Sequence, residues 1–139
     1  MTALAMACRL ILYCHGSHVA DVTDAIQWAC EHAGAGPRCR AALTVTVTNE
    51  TRWYLSASAV RYSPFGLTAR GLYDPTRMSY GDAGAVAWDI LSRGRHHCRS
   101  WPAAFAWYVR GEQHGRCPHV GPESRQRWRQ MLGLLRAHR

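Results

Sequence analysis

The densest chemistry in this chain lies between residues 96 and 119. His96, His97 and Cys98 come first, and His114, Cys117 and His119 follow. All are ligand types that zinc accepts, but zinc needs its ligands to converge within about 2.0–2.3 Å of one ion. The apolar segment between the two groups reads as a helix of about eleven residues. At about 1.5 Å per residue it holds the groups some 16 Å apart unless both flanking loops fold back. No pair has the C-x-x-C spacing of a strong zinc motif. A zinc site on His96, Cys98, His114, Cys117 and His119 is therefore an alternative to the main expectation, a chain without a cofactor. A Cys–His nucleophilic pair at Cys98 or Cys117 can be drawn. It lacks a third group to orient the base, and the chain has no nucleophile elbow, phosphate loop or carboxylate pair. The expectation is a protein that is not an enzyme.

Arginine offers more. All 17 basic residues are Arg. Residues 1–89 hold seven Arg and seven acids, which cancel. Residues 90–139 hold ten Arg against Glu112 and Glu123 and carry the whole formal charge of +8. Arg93, Arg95 and Arg99, with His96 and His97, form a basic turn, and Arg125, Arg127, Arg129, Arg136 and Arg139 decorate the last helical segment. Guanidinium groups grip phosphates bidentately, and each neutralised phosphate releases counterions. Trp101, Trp107 and Trp128 could stack bases, although Trp101 and Trp128 fall on stripes that more often pack a core. These eight arginines predict a non-enzymatic binding protein for a polyanion, RNA or DNA first or another acidic surface. The rival is a protein-interaction module with a groove between helices. The blander reading is a solvated basic surface in an Arg-biased proteome.

With 139 residues, 47% apolar and 19% charged, the chain is long enough for one domain with a packed core. It divides into a charge-neutral part, 1–89, and a basic part, 90–139. Arg9 interrupts the apolar stretch 4–14, which lacks the form of a signal peptide, and no run approaches the roughly 18 apolar residues of a membrane span. The expected location is intracellular, cytoplasmic or nuclear, leaving the sequon at Asn49 silent. Cys8, Cys14, Cys30, Cys39, Cys98 and Cys117 show no dense secreted framework and read mostly as buried free thiols.

The elements that must position these groups read as α+β. Residues 4–13 lean to helix. Ser17 can cap a helix with Val19, Val22, Ile26, Ala29 and Ala33 at 3, 4 spacing, ending at Gly34. Leu43, Val45 and Val47 alternate with Thr44, Thr46 and Thr48, the period of a half-buried strand. A turn at residues 49–51 and a second strand over 52–62, ended by Pro64, complete a central antiparallel hairpin, with residues 67–73 as a third, edge strand. Three C-terminal helices follow: one capped by Ser79 with Asp82 and ending before Gly94, one over residues 100–109 ending at Gly111, and one from Pro122 burying Trp128, Met131, Leu132 and Leu135.

Two stretches resemble known families. The order helix, Thr-Val-Thr-Val-Thr strand, strand, helix over residues 18–94 resembles a double-stranded-RNA-binding domain. That family's basic cluster is replaced by Asp82, so no RNA contact carries over. Val86-Ala87-Trp88-Asp89-Ile90, Arg93-Gly94, Trp101 and Phe105 are similar to the first homology motif of Bcl-2-like proteins, particularly short virus-encoded inhibitors of apoptosis or innate signalling. That resemblance spans about twenty residues and implies an all-helical bundle with residues 42–62 as helix or loop.

Overall fold

The computed structural model describes residues 1–53, 64–67, 78–111 and 116–138. Six helices and no strand occur among them: α1 (Ala3–Leu10), α2 (Ser17–His32), α3 (Pro37–Glu50), α4 (Tyr80–Cys98), α5 (Trp101–Arg110) and α6 (Pro122–His138). The α+β expectation is thereby overturned. The Thr-Val alternation expected as the first hairpin strand lies within α3. Residues 51–53 are a turn, and the rest of the hairpin, 54–62, and 68–73 of the edge strand lie outside the described residues.

The alternation misleads because α3 is buried on every side where the run falls. Residues 41–47 are all fully buried, and α3 packs against α1, α2, α4 and α6. A helical stretch with no solvent face has no amphipathic period to display. Val and Thr cost at most about 0.7 kcal/mol each in a helix, less than the roughly 1.5–3 kcal/mol from burying each Val or Leu. Two of the three hydroxyls are accommodated by back-bonding to the preceding turn. Thr46 Oγ1 donates to the Ala42 carbonyl and Thr48 Oγ1 to that of Thr44, both at 2.8 Å. Gly36 at the cap and Pro37 in the first turn start the helix. Arg52 and Trp53, both with positive φ, turn the chain away after its end.

Other boundaries follow local chemistry. Thr2 caps α1. Gly16 takes the cap position of α2, so that helix begins at Ser17 instead of being capped by it. Ser79 and Asp82 form the expected reciprocal capping box on α4, and Ser100 caps α5 through the Ala103 amide. Gly94 does not end α4, which continues to Cys98. It is buried inside the helix, where a Cβ would stand 2.9 Å from Trp107 Cγ, so its bare backbone lets α5 lie close.

Every cysteine is paired: Cys8–Cys14, Cys30–Cys39 and Cys98–Cys117. The free-thiol expectation is corrected. The short α2–α3 turn faces Cys30 in the last turn of α2 with Cys39 in the first turn of α3, a Cα separation of 5.7 Å. Cys98 at the end of α4 holds Cys117, beyond α5, at the same separation.

Candidate anion-binding cleft

Helix α6 is turned by about 70° from its expected rotation. Its buried residues are Ser124, Arg127, Met131 and Leu134, whereas Trp128, Leu132 and Leu135 are half-buried. The turn of the helix carries Arg127 inward, where Nη2 meets two carboxylates while Nε and Nη1 are buried with no hydrogen-bond partner among the described residues. Its side chain is 2% exposed, and Nη2 lies 3.2 Å from Glu50 Oε1 and 3.3 Å from Glu123 Oε1. Asn49 Nδ2 donates to Gln130 Oε1 beside it, tying α3 to α6 at 2.7 Å. Arg127 is therefore removed from the expected cationic face.

The displaced apolar residues open onto a cleft of about 610 Å³. Trp128, Leu132 and Leu135 of α6 form one wall, and Trp101 and Pro102 at the start of α5 form another. Three guanidinium groups reach it from three helices: Arg38 from the first turn of α3, Arg95 from the last turns of α4, and Arg136 from the last turn of α6. No carboxylate lines it among the described residues. An adjoining hollow of about 390 Å³ shares Arg38, Arg95 and Trp101 and extends past Trp88 to His96. The first turns of α3 and α5, which carry the positive ends of their helix dipoles, both border this region.

The remaining predicted arginines distribute unevenly. Arg125, Arg129 and Arg136 are exposed and fall within an arc of about 40° on α6, spread over about 16 Å, next to the Trp128 and Leu132 wall. Arg93 is exposed and paired with Asp89 at 3.0 Å. Arg99 is exposed at the left-handed C-cap of α4, and Arg139 lies outside the described residues. Of the predicted arginines, Arg95 and Arg136 thus meet at the cleft and Arg125 and Arg129 share an exposed face of α6 with Arg136, while Arg127 and Arg93 are held by carboxylates. Sequence reading missed Arg38 because its half of the chain is neutral in sum. The signal was local: residues 32–49 hold Arg38 and Arg40 and no acid.

The His/Cys constellation resolves differently. Cys98 and Cys117 do come together, but their two sulfurs bond to each other, which removes both thiolates from the zinc set and from any Cys–His pair. His96 and His119 are exposed, and His97 packs its ring 5.3 Å from that of Trp107. His114 lies outside the described residues. Among the described residues no group of three His, Cys, Asp or Glu is placed to hold a metal, and no helix is long and apolar enough to cross a membrane. Compared with known proteins, the chain matches no family model, and no characterised protein or solved structure is significantly similar to it.

Proposed function

We propose that this chain is a non-enzymatic binding protein that takes an acidic partner where α6 meets the first turns of α3 and α5. One observation carries the reading: Arg38, Arg95 and Arg136 converge on a single cleft without a carboxylate in its described lining, and none of the three has an ion pair among the described residues. Like charges gathered in a concave, partly apolar setting focus a positive potential that an anion relieves. RNA or DNA is one such partner and an acidic protein surface is another. The three disulfides support an oxidising compartment over the intracellular one expected from the N-terminus, which favours the protein. Asn49 of the sequon is engaged by its bonds to Val45 and Gln130.

A second observation also bears on a protein-interaction module of the kind the Bcl-2-like resemblance implies. Residues 42–53 are helix and turn, so the strand that stood against an all-helical bundle is absent there. The test is an affinity series for polyglutamate and for a single-stranded oligonucleotide at low and physiological salt. Binding of at least one should fall steeply with salt and be lost in an Arg38→Ala, Arg95→Ala, Arg136→Ala variant that keeps Arg127. Salt-insensitive binding, or full binding by the variant, contradicts the proposal.

A further inference from the structure

The walls of the cleft say more about its partner than its charge does. A polyanion held by Coulomb attraction alone needs only an exposed row of arginines, such as Arg125 and Arg129 already supply. The cleft adds half-buried Trp128, Leu132 and Leu135 to a lining that also holds Arg38, Arg95 and Arg136. Its volume of about 610 Å³ is in the range of sites that enclose an inserted group. A uniformly charged chain, such as a sulfated polysaccharide, has nothing apolar to place there. Base stacking needs an open ring face, yet Trp101 is only 9% exposed and Trp128 is half-buried. An apolar anchor surrounded by charges is, by contrast, how protein segments fill a small pocket.

We infer that the cleft accepts an acidic segment of a partner protein that carries one large apolar side chain. Its carboxylates meet Arg38, Arg95 and Arg136, and the apolar side chain seats against Trp128 and Leu132. This rests on the anionic-partner reading above and names the partner of that same site. The adjoining hollow past Trp88 and His96 gives the segment a path to continue along α4.

The experiment is selection of short random peptides displayed on phage against the disulfide-intact chain, followed by affinity measurement of the selected peptides. The expected peptides share Asp and Glu around one Leu, Phe or Trp, and Arg136→Glu and Leu132→Asp each weaken their binding at least about tenfold, or about 1.4 kcal/mol. Should Leu132→Asp lose its helical circular dichroism, Leu135→Ala reads the same wall. Acidic peptides with no shared apolar position, bound equally by the wall variant, overturn the inference and leave the anion-binding face standing. A single-stranded oligonucleotide that binds more tightly than the selected peptides at physiological salt also overturns it, in favour of nucleic acid. If acidic residues are not enriched and no probe binds with salt dependence, both readings fall.

Discussion

Arg125 and Arg127 stand two positions apart on α6 and do opposite work. Arg125 points to solvent, whereas Arg127 lies in the interior against Glu50 and Glu123. Arg127→Ala leaves a gap in the interior and takes the partner from the partly buried Glu50, so it should destabilise the fold by about 1–3 kcal/mol. Arg125→Ala should change stability by less than about 0.5 kcal/mol. Urea unfolding of the two variants checks this, and equal midpoints contradict it. Residue type could not distinguish the two in the sequence, because the partner that draws Arg127 inward, Glu50, is 77 positions away.

At the scale of elements, the helices with one solvent face were legible and the one buried on all sides in its middle was not. The Ser79 capping box and the Gly111 end of α5 stand where their sequence signals place them. Helix α3 has no exposed stripe along its Thr-Val run, which imitates a strand. Thr44 Oγ1 is buried without a hydrogen-bond partner among the described residues, unlike Thr46. Thr44→Val should therefore be neutral or stabilise by about 1 kcal/mol, an outcome that thermal unfolding reads directly; a clear loss of stability argues against this placement of α3. Gly94 was read as a helix end because glycine commonly marks one, whereas here it makes room for Trp107. Although alanine is the better helix former by about 1 kcal/mol, Gly94→Ala should destabilise by about 1–3 kcal/mol through the crowded α4–α5 contact. A stabilised variant contradicts that packing.

Across the whole molecule, the two halves defined by charge do not describe the binding face, since Arg38 of the neutral part joins Arg95 and Arg136 of the basic part. Summed charge showed that an excess existed but not which guanidiniums would meet. The cysteines were equally opaque, because their pairing depends on how the helix ends face one another. Alkylation without reduction should label no cysteine, and alkylation after reduction should label all six. Each lost bridge should cost about 2–4 kcal/mol, lowering the unfolding midpoint; full labelling of the unreduced chain contradicts this. The cleft itself is tested most directly by arginine-selective modification read by mass spectrometry, with and without polyglutamate. Protection should concentrate at Arg38, Arg95 and Arg136 and spare the exposed Arg9 and Arg52. Uniform protection, or protection confined to Arg9 and Arg52, would contradict the cleft as the place where an acidic partner binds.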